Sequence, residues 1–291
     1  MPYIKFKTLR VRVDLGVAFV TIDNPPINLL DGRLRGDLEE FARKVGADDS
    51  VRFIVFDSAD PDFFIAHTDA TPFLGRLANA APPRSDRLGE GYAVRELFYA
   101  LNQATIAKVE GRCRGGGNEF ALTLDIRFAA LGRAVFCQFE VAVGCVPGGG
   151  GTQRLARLVG RARALEMLLG CEDIDAERAE RYDLVNRALP PETIGLFVER
   201  LALRIASFPA DSIRLAKQAV RAAEADLHAG LLEEQFCAGE ALASAGARER
   251  LPRFFEIGAQ TRAVELDLPE ALHLLGKNRW ALTGGAACCA W

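Results

Sequence analysis

Apolar positions along this chain follow two rhythms, and the order in which they alternate predicts its architecture. Residues 8–22 read as two strands joined at Asp14–Leu15–Gly16, with VAFVTI as a buried run, and the start MPYIKFKTLRVRV alternates like an edge strand. Asp23–Asn24–Pro25–Pro26 closes that unit, and Leu34, Leu38, Phe41 and Val45 then recur every three or four positions, as on one face of a helix. VRFIVFDS (51–58) is another continuous apolar strand, ended by Asp60–Pro61 and followed by FFIAHTDAT at 63–71. The polar, Pro-rich stretch 72–90 predicts a mobile loop of the kind that covers sites, and a helix from about Tyr92 to Leu101 follows it.

The stretch Ile106 to Leu124 reads as strand, glycine turn and helix start, and IRFAA (126–130) and VFCQF (135–139) are strands around a turn at Gly132. The recurring order strand, strand, helix predicts an α/β fold built from stacked ββα units, although no sequence repeat is visible. Helical patterns then dominate, at 152–169, 175–182, 191–206, 211–224 and 229–263, the last with Phe236, Leu242, Leu251 and Phe255 on an apolar side. The shift at Ser207–Phe208–Pro209 divides the chain into a core, 1–207, and a C-terminal helical region, 208–291, whose final ten or so residues are expected to be poorly ordered.

Composition narrows the function classes. With 49% hydrophobic and 26% charged residues over 291 positions, the chain has enough apolar surface for a substantial core. A net charge of −3, with lysine only at positions 5, 7, 44, 108, 217 and 277, gives no electrostatic reason to expect nucleic acid or an anionic membrane as partner. Seven cysteines form no CxxC pair and no Cys/His ligand cluster, which points to reduced thiols in a cytoplasmic protein without a structural metal; Cys288 and Cys289 carry no expected role. No apolar run approaches the ~18 residues of a membrane helix.

Two glycine clusters carry the candidate chemistry. Gly115, Gly116 and Gly117 lie between a strand and a helix whose first turn holds Glu119. Such a turn lets a ligand approach the backbone closely and aims unpaired N–H groups at it. Taken alone, the same residues describe no more than a tight turn and an acidic side chain complementing the helix dipole. The second cluster, Gly148 to Gly151, continues as Thr152–Gln153–Arg154 and so lacks the lysine of a phosphate loop. Neither cluster is a dinucleotide fingerprint, and neither nucleotide hydrolysis nor dinucleotide binding is supported.

In order along the chain stand Pro26–Ile27–Asn28–Leu29, VRFIVFDS, Gly115–Gly116–Gly117–Asn118–Glu119, Phe139–Glu140, Val146–Pro147–Gly148 and Gly151–Thr152–Gln153–Arg154–Leu155. In this order and at these spacings the chain resembles the crotonase superfamily, the enoyl-CoA hydratase/isomerase group, over roughly residues 10–225. The resemblance implies a crotonase fold and an acyl-CoA substrate whose thioester oxygen receives two backbone N–H bonds. Those donors would be Gly116 and Thr68, and Ala66, His67, Asp69, Gly115, Gly117, Pro147 and Gly148 would border the substrate. It implies that Glu119 orients or activates water and Glu140 delivers the α proton, because adding water across a C=C bond needs both a base and an acid. The apolar company of Glu140 favours a raised pKa, whereas the residues alone also allow an ordinary strand-end carboxylate. Further implications are no metal or redox cofactor, with coenzyme A arriving in the substrate, and a homotrimer or dimer of trimers. Isomerases, thioester hydrolases and non-catalytic acyl-CoA- or protein-binding members share the scaffold and stay open.

The chain departs from the family pattern at His67, where glycine is usual, and by one apparent extra residue near Gly132–Arg133. Histidine is bulkier and titrates near neutrality. It could narrow the acyl pocket or simply be tolerated. Phe63, Phe64 and Phe73 are candidates for the acyl pocket or the core, and Arg248, Arg250 and Arg253 for CoA phosphates or a solvated helix face.

Overall fold

Consecutive strands in the middle of the chain belong to different sheets. The computed structural model describes residues 3, 5–77, 80–224 and 226–276, so the tail with Cys288 and Cys289, expected to be poorly ordered, lies outside the described residues. The first half comprises β1 (Leu9–Asp14), β2 (Val17–Ile22), α1 (Gly32–Gly46), β3 (Phe53–Ser58), β4 (Phe63–Ile65), the single turn α2 (Thr71–Leu74), α3 (Glu90–Ala100), β5 (Ala104–Val109), β6 (Arg112–Arg114) and α4 (Gly116–Thr123). Next come β7 (Ile126–Ala130), β8 (Val135–Cys137), a 3-10 turn at Glu140–Val143, α5 (Gly151–Val159), α6 (Arg161–Gly170), β9 (Ile174–Asp175), α7 (Ala176–Arg181) and β10 (Arg187–Leu189). Helices α8 (Pro191–Ala206), α9 (Ala210–Arg221), α10 (Leu227–Leu242), α11 (Ala245–Glu256), α12 (Arg262–Leu266) and α13 (Leu268–Gly276) complete the described chain.

The larger sheet runs β1-β2-β3-β5-β7-β10 and the smaller β4-β6-β8-β9. Apart from the β1–β2 hairpin and the β8–β9 pair, neighbours are parallel. Parallel neighbours need crossovers, and here the β3–β5 and β5–β7 crossovers each lay down one strand of the second sheet, β4 and β6, while the β7–β10 crossover lays down β8 and β9. That is the ββα spiral expected from the order of elements, with β1 at the expected edge.

Both faces of the larger sheet are buried, which explains its unbroken apolar runs. Ile54, Phe56 and Ala107 face the core built by α1, α3 and α4. Phe53, Val55 and Ile106 face the opposite side, where Ile194, Val198 and Ala202 of α8 pack. Phe41, Phe56, Phe98 and Phe120 meet in the first core, with Phe120 edge-on to Phe56 and Phe98 at 5.3 and 5.2 Å. This cluster seats α4 on the sheet.

Element boundaries differ from expectation where local chemistry intervenes. The helix expected over 152–169 is two helices, because Gly160 takes φ +79° and turns the chain between them. The pattern at 229–263 resolves into α10, α11 and α12, and Phe254 rather than Phe255 is the fully buried aromatic of α11. The strand expected over 135–139 stops at Cys137, and Phe139 caps the 3-10 turn that presents Glu140. Strands β9 and β10 are two and three residues long, too short to leave a periodic signal.

Replacing Phe120 by alanine removes a side chain that is 1% exposed. The loss expected in urea unfolding is about 3–5 kcal/mol. Val13→Ala, at an exposed edge position, should stay within about 0.5 kcal/mol.

Candidate active site

The site forms where the first turn of α4 meets the end of β4. Gly115, at φ +47°, turns the chain out of β6, and its N–H donates to the Cys137 carbonyl at 2.8 Å, so the turn is fastened to β8. A side chain at Gly116 would overlap Thr68 Oγ1 and lie 3.0 Å from Thr68 N, and one at Gly117 would run into the Ile65 carbonyl. Glycine is what permits this approach.

Leu30 sets the direction of the Thr68 peptide. Its N–H donates to the His67 carbonyl at 2.8 Å and its carbonyl accepts from Asp69 N at 3.2 Å, in a parallel bridge with Thr68. Such a bridge engages the residues on either side of Thr68 and turns the N–H of Thr68 itself away from Leu30. Gly116 opens α4, so its N–H has no partner within the helix. Two backbone donors from separate elements therefore lie side by side.

Glu119 is 3% exposed, and its carboxylate is met by donors from three residues. Oε1 accepts from Gly149 N at 2.8 Å and Gly151 N at 3.1 Å, and Oε2 accepts from the Arg95 guanidinium at 3.1 Å. Arg95, buried on α3, also donates to the carbonyls of Gly116 at 3.1 Å and Gly91 at 2.6 Å. A buried charge needs such company to stay ionised.

Glu140 has a different environment. Its two oxygens accept only long bonds, 3.3 and 3.2 Å, from Gln138 Nε2, while Gln138 Oε1 accepts from Asn118 Nδ2 at 2.8 Å. Burial first, and the nearby charge of Glu119 second, push the Glu140 carboxyl up to about 8. The two glutamates converge, since a methyl group placed on Gly151 would sit 3.0 Å from Glu119 Oε1 and 2.9 Å from the Gln138 amide that touches Glu140.

A third glutamate, Glu234 of α10, caps α5. It accepts from Gly150 N, Thr152 N, Thr152 Oγ1 and, at 3.3 Å, Gln153 N. These bonds hold the Gly149–Gly151 loop that in turn holds Glu119. Burial and the charge of Glu119 push Glu234 up to about 7, against the pull of its hydrogen bonds.

The other expected residues divide. Pro147 and Gly148 lead into the loop around Glu119, with Pro147 Cβ 2.7 Å from the vacant Cβ position of Gly151. Ala66 is core, packed with Ile27 and Phe63, and Phe64 belongs to the main core. Asp69 Oδ1 accepts from Thr71 N at 2.9 Å and from the Gln260 side chain at 3.0 Å. His67 is 2% exposed, with its ring nitrogens engaged by the Thr68 carbonyl and Glu265 rather than by Glu119 or Glu140. Arg250 donates to the Ala142 carbonyl at 2.9 Å and Arg248 to the Ala243 carbonyl at 2.6 Å. Phe73 is partly buried against the C-terminal helices. A groove of about 910 Å³ between α9 and the end of α4 contains neither Glu119 nor Glu140.

Arg95, Gln138 and Glu234 were not anticipated from sequence. Arg95 and Glu96 are the two charged residues of the helix Tyr92–Leu101, which is the one local signal that could have marked Arg95.

Residues 12–260 match the enoyl-CoA hydratase/isomerase family. The chain belongs to that family. It is 31% identical over 253 residues to a probable enoyl-CoA hydratase of Mycobacterium tuberculosis, covering 86% of this chain and 96% of that one. A short-chain-enoyl-CoA hydratase of Clostridium acetobutylicum is 31% identical over 242 residues, 82% and 91% of the two chains. A crystal structure of a candidate enoyl-CoA hydratase from Streptomyces avermitilis superposes with a TM-score of 0.85 at 39% identity, covering 94% of this chain and all of that one. The fold is the crotonase fold, and the family acts on acyl-CoA substrates. Among the described residues, no helix is long and apolar enough to cross a membrane.

Carboxyl 13C NMR should find Glu140 titrating near 8. In Glu119→Gln the midpoint should fall, because the neighbouring negative charge that favours the protonated form is gone.

Proposed function

We propose that the protein is an enoyl-CoA hydratase, adding water to the double bond of a 2-enoyl-CoA thioester. The contrast between two converging carboxylates carries this reading. Glu119 accepts three N–H bonds, while Glu140 meets only long bonds from Gln138 and keeps its proton to about 8. One is suited to accept a proton from water and the other to give one to the α carbon. The N–H groups of Thr68 and Gly116 would receive the thioester oxygen as negative charge grows on it, stabilising the enolate-like transition state more than the ground state. Asp69, Gly115, Gly117, Pro147 and Gly148 would frame that acyl group, with the buried Ala66 and His67 side chains standing behind it. Proton transfer and water addition leave oxidation states balanced within the substrate, so the proposed reaction calls for no metal or redox cofactor.

A second reading, double-bond isomerisation, is favoured by one observation. Arg95 already occupies Glu119 Oε2, which leaves Glu140 the freer proton carrier. Absorbance of the conjugated enoyl thioester separates the two. With crotonyl-CoA and a longer 2-enoyl-CoA, wild type should consume the chromophore, and Glu119→Gln and Glu140→Gln should each slow this by about 100- to 10,000-fold with folding unchanged. The hydration rate should fall as pH rises through about 8, where Glu140 loses its proton. If Glu119→Gln converts a 3-enoyl-CoA to the conjugated isomer at the wild-type rate, and wild type fails to hydrate, isomerase is the correct name. Binding of the ester with neither reaction would mark a non-catalytic acyl-CoA-binding member.

We also propose a cytoplasmic homotrimer or dimer of trimers. Leu215 and Val220 of α9 are 51% and 70% exposed, the kind of apolar surface a subunit contact would cover. A single monomeric species in light scattering at micromolar concentration would exclude this.

A further inference from the structure

His67 stands directly before Thr68, and each of its ring nitrogens faces an acceptor. Nδ1 lies 2.8 Å from the Thr68 carbonyl and Nε2 lies 2.9 Å from Glu265 Oε1 on α12. A neutral imidazole has one N–H and would set a lone pair against one of these oxygens. Glu265 Oε1 also accepts the Gln260 N–H and its carboxyl is held below its usual range, so it stands as an acceptor. The geometry therefore calls for an imidazolium paired with a carboxylate, both buried, at 2% and 0% exposure. The ring is held edge-on to Phe139 at 5.3 Å and tilted against Phe254 at 6.5 Å, which leaves it little freedom to turn.

Glu265 is fixed in its turn. Its Oε1 also accepts from Gln260 N at 2.9 Å, and its backbone carbonyl accepts from Arg114 at 2.6 Å, which pairs with Asp173. The Gln260 side chain accepts from Ala70 N at 2.7 Å and donates to Asp69 at 3.0 Å, so one turn before α12 grips the whole 67–71 segment. Charged groups around His67 are Glu265 from α12, Arg114 from β6 and Asp69 from its own loop, and Glu140 lies across Gly115. Burial works against the charge of His67, but Glu265 and the Thr68 carbonyl outweigh it and hold the ring above its usual range, while Arg114 pulls the other way.

We propose that His67 and Glu265 form a charged latch that positions the Thr68 peptide so that its N–H stays beside that of Gly116. Leu30 bonds the peptides on both sides of Thr68, and His67 adds a second hold on the later one through its carbonyl, so both torsions of Thr68 are held from outside the site. His67 is a positioning residue and touches no reacting atom. The assignment rests on Thr68 and Gly116 receiving the thioester oxygen, and it predicts that loosening α12 weakens that reception without loosening the hold on CoA.

The test uses butyryl-CoA, a saturated thioester that undergoes neither hydration nor isomerisation, labelled with 13C at the carbonyl. Infrared difference spectra of the bound ester report carbonyl polarisation whichever reaction the enzyme performs. Wild type should shift the carbonyl stretch to lower frequency. His67→Gln and Glu265→Gln should each lose most of that shift, with affinity for the ester within about 3-fold and kcat on an enoyl-CoA down about 10- to 100-fold. The double variant, in which a neutral amide pair can restore the bond, should recover part of both. A full shift in the single variants overturns the latch and leaves the oxyanion site standing, whereas an unshifted wild type takes down both. Wild type also permits a check that no folding defect can confuse. Imidazole 15N NMR should show both His67 nitrogens protonated at about pH 7, and a neutral ring there overturns the proposal.

Discussion

The burial of the Glu119 carboxylate is the constraint on which the rest of the site depends. A charge taken out of water must recover its lost solvation from fixed donors, and no single element here can supply enough of them. Arg95 comes from α3, two N–H groups come from the loop before α5, and that loop keeps its shape because Glu234 of α10 caps the helix. One buried charge thus commits α3, α4, α5 and α10 to a single arrangement. Truncating any member would leave a buried group without a partner, the most expensive kind of defect in a protein interior.

The second constraint is steric. Interleaving two sheets brings the end of β4 against the start of α4, and the absence of side chains at Gly116 and Gly117 lets the backbones meet. Two N–H groups with no obligation to their own elements then lie together. The C-terminal helices reach this junction from outside through His67, Gln260 and Glu265. Arg95 joins the two parts of the site, because it bonds both the Glu119 carboxylate and the Gly116 carbonyl.

Motif order singled out Glu119, Glu140, Gly116 and Thr68 as candidates, because each lies in a short segment whose residue types are set by local demands: a glycine turn, a helix start, a strand end. The partners that determine what those residues can do were not legible. Arg95 is 24 positions from Glu119, and Glu265 is 198 positions from His67. No periodicity links residues so far apart. His67 shows this most plainly, since a histidine in a loop titrates ordinarily until a carboxylate from another helix arrives at its ring.

Hydrophobic rhythm along the chain determined the ββα order, the apolar strands buried on both faces and the helices of the second half, since periodicity is a property of neighbouring residues and survives without a fold. Tertiary structure alone decided which strands share a sheet, that 152–169 breaks at Gly160, and that Arg95 and the Gly149–Gly151 backbone meet Glu119. It also raised the pKa of Glu140 and Glu234, because a pKa is set by what surrounds a group in space. The residues that surround Glu119, Glu140 and His67 come from every part of the described chain.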